Sequence, residues 1–244
     1  MQINTFPVTL EQSFMITPKV KHFIFKCELT PCFNYIPGQF ITIHFEHEGK
    51  ILKRSYSIAN EPKKDNTIEF AAGYFENGPG TQLLYNLKPG DIININGPFG
   101  RLVMKDELPG RYILVATSTG ITPYRAMLSE LGKRMEQNPE LQVVILQGVQ
   151  RRNEILYPEE FRNFAQKYPK ATFMPYLSRQ PAEELQENEH NGYVQHAFPM
   201  LNLNPQQDVV YLCGNPGMID ESFNYLKEQG FAMQQIIREK YISR

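Results

Sequence analysis

The hydrophobic pattern of the chain changes near its middle, and this change limits the folds that the chain can adopt. Up to about Asn96, the apolar residues fall in short β-rich runs separated by turn signals such as Pro37-Gly38 and Pro89-Gly90. Short strands at this spacing are typical of an antiparallel barrel or sandwich. After a turn at residues 97–100, continuous apolar strands alternate with helical stretches. That alternation indicates a parallel sheet with right-handed crossovers.

The chain has 244 residues, which is enough for one large domain or two moderate ones. We predict a protein of the α/β plus all-β class: an N-terminal antiparallel β-barrel over residues 1–106, followed by a parallel α/β domain over residues 107–244. The boundary lies in a charged linker that ends at Pro109. One helix is expected in the first domain, over residues 80–87. Three are expected in the second, around residues 123–137, 158–168 and 216–230.

The charge balance excludes several classes of partner. There are 25 Lys and Arg residues against 26 Asp and Glu residues, so no excess charge favours nucleic acid or an anionic membrane surface. The N-terminus lacks the pattern of a signal peptide, and no apolar run reaches membrane-spanning length. We therefore expect a cytoplasmic protein that binds neither nucleic acid nor a membrane.

The cysteines and histidines do not predict a metal centre. Cys27 and Cys32 have the first spacing of a plant-type iron–sulfur motif, but the second close pair is missing and one cluster needs four thiolates. The histidines include no helical i, i+4 pair backed by a carboxylate. We expect reduced thiols, no iron–sulfur cluster and no other metal.

The run Arg54-Ser55-Tyr56-Ser57 ends a predicted strand and carries three groups that suit one large ligand. Because side chains alternate along a strand, Arg54 and Tyr56 face one side and Ser55 and Ser57 face the other. A guanidinium can fork onto a pyrophosphate, a phenol ring can cover a planar ring system, and a hydroxyl can bond a heterocycle nitrogen. A nucleotide with a fused aromatic ring fits this set. An ordinary half-buried strand is the alternative.

Two helix starts could each bind a phosphate. The helix predicted over residues 80–87 follows Gly78-Pro79, and its free N–H groups and dipole favour an anion there. The first parallel strand leads through Thr119 and Gly120 into a helix that begins near Pro123, which is a second plausible anion site. The usual Gly-x-Gly-x-x-Gly fingerprint is absent, so a plain strand–turn–helix is the alternative.

A later parallel strand ends in Ser178-Arg179. In open α/β sheets, ligands bind beyond the carboxyl ends of the strands, and a hydroxyl beside a guanidinium suits a phosphate monoester. This pair therefore favours NADP over NAD. Tyr193 could lie against the adenine or the same phosphate, or it could be a packed aromatic residue.

Taken together, the motifs resemble the ferredoxin–NADP reductase family of flavoproteins. The matches occur in the order of the family and span most of the chain. They are Pro37-Gly38-Gln39-Phe40, Arg54-Ser55-Tyr56-Ser57, Gly78-Pro79-Gly80-Thr81, Gly97-Pro98-Phe99-Gly100, Thr119-Gly120-Ile121-Thr122-Pro123, Ser178-Arg179 and Cys213-Gly214-Asn215-Pro216-Gly217-Met218.

The resemblance implies that the first domain binds FAD. Arg54 would bind the FAD pyrophosphate, Tyr56 would flank the isoalloxazine ring, and Ser57 would hydrogen-bond flavin N5. Gly80 and Thr81 would contact an FAD phosphate at the start of the short helix.

The resemblance also implies that the second domain binds NADP(H) as a substrate. Thr119 and Gly120 would line the nucleotide cleft, and Cys213 would lie near the nicotinamide C4. Gly214 and Met218, in the same motif as Cys213, would belong to the cofactor site.

The chain departs from the family pattern in two places. Where family members often carry an Arg, this chain has Gln150, so Arg151 or Arg152 would have to replace that contact. Family chains also tend to end near an aromatic residue on the flavin, often just after an acid. Here Tyr241 lies two residues after Glu239 and is followed by three more residues, so Tyr241 would either stack on the flavin or end a strand.

These expectations describe an FAD-dependent enzyme that transfers electrons between NADPH and a ferredoxin or flavodoxin, which binds transiently. Hydride would pass to flavin N5, and single electrons would then leave. We expect a monomer. The alternatives are an NAD(P)H:flavin reductase or the reductase component of an oxygenase, and a non-catalytic flavin-binding regulatory subunit.

Overall fold

A computed structural model describes residues 5–28, 33–62 and 66–241. The chain forms two compact units. The first comprises Met1–Val103 together with Thr122–Ala126, and the second comprises Met104–Ile121 and Met127–Arg244. Each unit is described separately below.

The first unit is built on six antiparallel strands that lie in the order β4-β3-β6-β1-β2-β5. An antiparallel bridge between Ile58 and Phe70 joins the end of β4 to β5, so the two edge strands meet and the sheet curls into a barrel. The elements of this unit are β1 (Phe6–Thr17), β2 (Val20–Cys27), β3 (Phe40–His47), β4 (Lys50–Ser57), β5 (Thr67–Gly73), α1 (Pro79–Asn86) and β6 (Ile92–Phe99).

Aromatic side chains fill the interior of the first unit. The Phe70 ring stacks on Phe23 and Phe25, with ring centroids 5.3 and 5.5 Å apart. On another side it stacks on Tyr56, with centroids 4.9 Å apart. Phe23 and Phe25 are two residues apart in β2, so both rings lie on the same face of the strand and point inward. This core therefore fixes one face of the Tyr56 ring.

The second unit contains six parallel strands in the order β10-β9-β8-β7-β11-β12. Its elements are β7 (Arg111–Thr117), α2 (Thr122–Gln137, whose first turn is grouped with the first unit), β8 (Gln142–Val149), α3 (Pro158–Lys167), β9 (Ala171–Leu177), β10 (His190–Asn191), β11 (Asp208–Gly214), α4 (Pro216–Glu228) and β12 (Ile236–Lys240).

The central strand β7 is buried on both faces, because residues 112–116 are each at most 1% exposed. A strand covered on both sides reads as a continuous apolar run, and this is the pattern from which the parallel sheet was predicted. The predicted fold class, an antiparallel barrel followed by a parallel α/β domain, is confirmed. Among the described residues, no helix is long and apolar enough to cross a bilayer.

Candidate functional site

In the first unit, Arg54 and Tyr56 meet the start of α1 at Gly80. A β-carbon added to Gly80 would lie 2.9 Å from Arg54 Cγ and 3.5 Å from the Tyr56 hydroxyl. A side chain at this helix position would therefore require the Arg54 stem to shift, whereas the distance to the Tyr56 hydroxyl is an ordinary contact. The structure therefore places Arg54 and Tyr56 on one face, beside the first turn of α1.

The first turn of α1 suits an anion. Pro79 occupies the start of the helix, and the residue before it, Gly78, provides no side-chain cap for the free N–H groups. No acidic residue lies in that turn, so the N–H groups and the helix dipole can favour a phosphate. Thr81 is buried in the same turn.

Tyr56 remains a neutral phenol over the working pH range. Burial raises its pKa to about 12, although the nearby Arg54 charge works in the opposite direction. One face of its ring stacks on Phe70. The side chain is thus a rigid, apolar plate with its hydroxyl near Gly80.

Ser57 and Ser55 lie on the other face of β4. Ser57 is buried, and the backbone that follows it is held by hydrogen bonds from Ile58 N to Gln39 O (3.0 Å) and from Ala59 N to Glu69 O (2.7 Å). Ser55 is exposed, and its hydroxyl pairs with the Thr42 hydroxyl at 3.0 Å. Ser55 is therefore not brought together with Arg54 and Tyr56, and its role in cofactor binding stays a prediction.

A buried charge network in the first unit was missed by the sequence analysis. Arg125 Nη1 donates to Glu69 Oε2 (2.9 Å) and to the Ala59 carbonyl (3.0 Å), and His22 Nε2 lies 3.3 Å from the same Glu69 oxygen. Burial alone would raise the pKa of Glu69, but the hydrogen bonds with His22 and Arg125 outweigh it and lower the pKa to about 2.

One sequence signal could have found this network. Arg125 lies in the first turn of α2, where a positive charge is unfavourable next to the helix dipole. A cation in that position needs a nearby carboxylate. The network supports residues 58–60, the segment that directly follows Ser57.

In the second unit, the loop after β7 packs against the end of β11. A β-carbon on Gly120 would lie only 2.3 Å from the Cys213 carbonyl oxygen and 2.9 Å from Gly214 Cα. Gly214 has φ of +120°, and a side chain there would meet Thr117 Oγ1 at 2.4 Å. Both glycines are therefore required for Gly120 and Thr117 to lie against Cys213 and Gly214, and the role of Thr119 in the nucleotide cleft stays a prediction.

The turn after Gly214 leads directly into α4. Asn215 caps this helix, since its Oδ1 accepts hydrogen bonds from Gly217 N (2.8 Å) and Met218 N (3.2 Å). The Met218 side chain is buried in the apolar core of the unit. Any role of Met218 in binding a cofactor stays a prediction.

Cys213 carries a protonated thiol. The residue is fully buried, and burial raises its pKa well above the ordinary value. The Glu239 charge raises it further, and a hydrogen bond with the Tyr241 side chain lowers it. Glu239 is the partner of Cys213 in the β11–β12 register, and Tyr241 N donates to the Gly214 carbonyl at 2.8 Å. The structure thus gathers Cys213, Glu239 and Tyr241, with Tyr241 following the last strand.

The ends of β8 and β9 present two exposed guanidinium groups. Ser178 N donates to the Val149 carbonyl (3.0 Å), and Arg179 N donates to the Gln150 carbonyl (2.8 Å), so the two strand ends run side by side. The side chains of Arg151 and Arg179 are exposed. Neither guanidinium has an ion pair or hydrogen bond with any residue in the described part of the chain.

Arg152, the other candidate to replace the family arginine, is already engaged. It forms a bidentate pair with the buried carboxylate of Glu189. Tyr193 lies at the same edge of the sheet and is 62% exposed, with its ring edge-on to His196. Arg151, Arg179 and Tyr193 are therefore exposed at one end of the sheet, and the hydroxyl of Ser178, directly before Arg179, donates to the Val149 carbonyl at 3.4 Å.

In the described part of the chain, Cys27 and Cys213 are buried and form no disulfide. Cys32, whose spacing from Cys27 was considered for an iron–sulfur motif, lies outside the described residues. Within residues 5–28, 33–62 and 66–241, no cluster of three or more His, Cys, Asp or Glu side chains could hold a metal ion.

Comparison with known proteins assigns both units. Residues 7–104 match the oxidoreductase FAD-binding domain, and residues 114–222 match the oxidoreductase NAD-binding domain. A ferredoxin–NADP reductase from Azotobacter vinelandii is 32% identical over 228 residues, covering 87% of this chain and 85% of the relative. The chain belongs to the ferredoxin–NADP reductase family. It is an FAD- and NAD(P)-binding oxidoreductase, as predicted.

Two further proteins of this kind are similar to the chain. The reductase component of phenol 2-monooxygenase from a Pseudomonas species is 26% identical over 191 residues, which is 77% of this chain and 53% of that protein. A ferredoxin NADP⁺ reductase structure from Neisseria gonorrhoeae, described with bound FAD and NADP, superposes with a TM-score of 0.84 at 20% identity. It covers 98% of this chain and 99% of that chain, and this likeness shows the shared fold.

The residues of this reductase fit the FAD that its family domain implies. Gly80 leaves open the position that a β-carbon would fill beside the Arg54 side chain, and it lies in the first turn of α1, whose N–H groups have no side-chain cap. A cation and a helix N-terminus together suit a pyrophosphate. The donor set is therefore consistent with the dinucleotide.

Proposed function

We propose that this reductase takes electrons from NADPH through bound FAD and passes them to a ferredoxin or flavodoxin. Bound FAD would supply the redox chemistry, because a flavin accepts a hydride at N5 and can release electrons singly. The protein contributes binding, orientation and protection from side reactions. The relative from Azotobacter vinelandii supports the choice of reaction.

The observation that carries the FAD part of the proposal is the meeting of Arg54, Tyr56 and the α1 start at Gly80. Arg54 would bind the pyrophosphate with the N–H groups of Gly80 and Thr81. The Tyr56 ring, fixed from behind by Phe70, would cover the isoalloxazine ring. We propose that the Ser57 hydroxyl, next to Tyr56 at the end of β4, hydrogen-bonds flavin N5.

NADPH is favoured over NADH by the two exposed guanidinium groups. Arg151 and Arg179 carry no other ion pair among the described residues. Ser178, directly before Arg179, adds a hydroxyl at the same strand end. Two cations match the charge of a 2′-phosphate, which only NADPH carries. Tyr193 would lie over the adenine.

For the nicotinamide end, we propose the group formed by Cys213, Glu239 and Tyr241, with Thr119, Gly120 and Gly214 lining the path to it. The neutral Cys213 thiol offers a small, uncharged surface to the nicotinamide ring. The Tyr241 phenol hydrogen-bonds that thiol, so the coenzyme would have to displace Tyr241 to reach it.

An anaerobic titration tests the proposal directly. Purified protein should be yellow, and NADPH should bleach its flavin absorbance. A colourless protein that takes up no flavin on reconstitution would contradict the FAD assignment.

The Arg179→Ala variant should raise the KM for NADPH by about tenfold or more and leave the KM for NADH nearly unchanged, because one charge-assisted contact to the 2′-phosphate is lost. Equal losses for the two coenzymes would show that Arg179 has a structural role.

A second candidate is the reductase component of an oxygenase, which the phenol 2-monooxygenase relative favours. A panel of acceptors separates the two: turnover with a ferredoxin or flavodoxin supports the main proposal, and turnover only with an oxygenase component supports the alternative. A flavin reductase would instead lose FAD on dialysis and use it as a substrate.

The monomeric state and the cytoplasmic location stay predictions. Size-exclusion chromatography would test the monomeric state.

A further inference from the structure

A buried ion pair lies directly beside the exposed guanidinium groups of the second unit. Arg152 Nε donates to Glu189 Oε1 at 2.8 Å, and Arg152 Nη2 donates to Glu189 Oε2 at 2.6 Å. The Glu189 side chain is 1% exposed and that of Arg152 is 31% exposed. The Glu189 carboxylate also accepts from Gln186 N at 2.9 Å. Both oxygens of the carboxylate are therefore satisfied in a fixed, forked geometry.

The pair joins two segments that are far apart in the sequence. Arg152 comes directly after Gln150 and Arg151, at the end of β8, and Glu189 directly precedes β10. Arg152 also bonds the loop between them, since its Nη2 donates to the Glu184 carbonyl and its N–H donates to Gln180 Oε1. The pair thus closes the loop that begins at Ser178 and Arg179 onto the turn that carries Arg151.

The backbone explains how this pair directs Arg151. Arg151 has φ of −136° and ψ of 160°, an extended conformation, and a short 3₁₀ helix begins at the next residue, Arg152. At this turn the Arg152 side chain is held on Glu189, and the Arg151 side chain is exposed to solvent. The hydrogen bond from Arg179 N to the Gln150 carbonyl (2.8 Å) then keeps Arg179 beside it.

We infer that the Arg152–Glu189 pair is a positioning device for coenzyme choice, holding Arg151 and Arg179 where both can bind one 2′-phosphate. This inference rests on the proposed NADPH-dependent function. The pair itself would not touch the coenzyme. It sets the direction of the two side chains that do, and Arg152 neutralises a carboxylate that would otherwise lie buried near the phosphate site. The lowered pKa of Glu189, caused mainly by the hydrogen bond from Arg152, is consistent with a permanently charged pair.

The same unit contains a matched control pair. Arg111 Nε donates to Asp208 Oδ1 at 2.9 Å and its Nη2 donates to Asp208 Oδ2 at 2.6 Å, with side chains 16% and 2% exposed. This pair joins the first residues of β7 and β11. In open α/β sheets, ligands bind at the opposite, carboxyl end of the strands. The two pairs have the same chemistry and differ in their place on the sheet.

The experiment compares two double variants with the full-length, FAD-loaded protein. One is Arg152→Met with Glu189→Gln, and the other is Arg111→Met with Asp208→Asn. Both partners are replaced together, because removing one alone would leave a buried charge unpaired. Steady-state kinetics are measured with NADPH and with NADH, using ferricyanide as the acceptor. Binding of 2′-phospho-AMP and AMP is measured by calorimetry.

We expect the Arg152–Glu189 double variant to raise the KM for NADPH by about tenfold or more, with kcat nearly unchanged. An increase of this size corresponds to the loss of one charge-assisted contact. The KM for NADH should stay within about twofold, and affinity should fall for 2′-phospho-AMP and not for AMP. The Arg111–Asp208 double variant should lose thermal stability to a similar degree and keep the same ratio of NADPH to NADH activity.

Three results would overturn the inference. The first is an unchanged preference for NADPH in the Arg152–Glu189 double variant, and the second is an equal loss for both coenzymes. The third is an equal change of preference in the control pair. A wild-type protein that does not discriminate between NADPH and NADH would contradict the proposed coenzyme assignment itself. The inference would then fall with that assignment, whatever the variants show.

The single variant Arg152→Lys covers the case in which the double variant does not fold. It keeps the charge that neutralises Glu189 and loses the planar fork. A folded Arg152→Lys protein should show part of the same loss, confined to NADPH. If the double variant does not fold and the Arg152→Lys protein keeps the full preference for NADPH, the positioning role is also refuted.

Discussion

Gly80→Ala is expected to weaken FAD binding while leaving the protein at least as stable. The added β-carbon would lie 2.9 Å from Arg54 Cγ, whereas carbon atoms in favourable contact are about 3.5–4.0 Å apart. The Arg54 stem must therefore move by roughly 0.6–1.1 Å. At the end of the side chain, such a shift would disturb a charge-assisted bond to the pyrophosphate. If about 1–3 kcal/mol is lost, FAD should bind about 5- to 150-fold more weakly.

The stability of the apo-protein should change in the opposite direction. Gly80 lies inside α1 and has no positive φ, and alanine is favoured over glycine within a helix by up to about 1 kcal/mol. The assay is fluorescence titration of apo-protein with FAD, together with thermal unfolding of the same sample. Gln82→Ala, at an exposed position of the same helix, is the control and should leave FAD affinity unchanged.

Two results would refute this reasoning. FAD affinity of Gly80→Ala within about twofold of wild type would show that Arg54 adjusts without loss, or does not bind the pyrophosphate. A weaker affinity accompanied by a clearly destabilised apo-protein would point to general disruption of the helix instead of displacement of Arg54.

Two further predictions concern the buried carboxylate of the first unit and the end of the chain. Since the folded-state pKa of Glu69 is lowered to about 2, its stabilisation is present above the unfolded pKa and is lost as pH falls towards 2. A pKa lowered from 4.5 to about 2 corresponds to about 3 kcal/mol. Glu69→Gln should therefore cost roughly 2–3 kcal/mol near pH 7 and much less near pH 2.5 in urea unfolding. Equal costs at both pH values would contradict this. Tyr241→Ser removes the hydrogen bond to Cys213, worth about 0.5–1.5 kcal/mol, so NADP⁺ should bind roughly 2- to 12-fold tighter. A weaker or unchanged affinity in an absorbance titration would argue against Tyr241 covering the nicotinamide site.

The division into a barrel and a parallel α/β unit could be predicted because both signals are local. Alternating residues such as Phe23 and Phe25 mark a strand with one buried face, and continuous runs such as β7 mark a strand buried on both faces. The helix starts were also predictable, since Pro79 and Pro216 are the first residues of their helices, a position that favours proline. The common face of Arg54 and Tyr56 followed from the same period of two.

Other parts of the site depend on which strands are neighbours, and this cannot be read from local patterns. Arg151 and Arg152 are adjacent in sequence and equal in chemistry. Only the position of Glu189, 37 residues further along the chain, decides that Arg152 turns inward and Arg151 stays exposed. Likewise, Ser55 lies among the predicted cofactor-binding residues in the sequence, yet its hydroxyl pairs with Thr42 on the other face.

The sequence by itself determined the two fold classes, the helix starts and the family, because these rest on residue types at short, regular spacings. The tertiary structure decided which charges are paired and which are available, as in the Glu69–Arg125 contact and the Tyr241 hydrogen bond to Cys213. The physical reason is that a charge or hydrogen-bond donor finds its partner through strand register and packing, which bring together residues far apart in the chain.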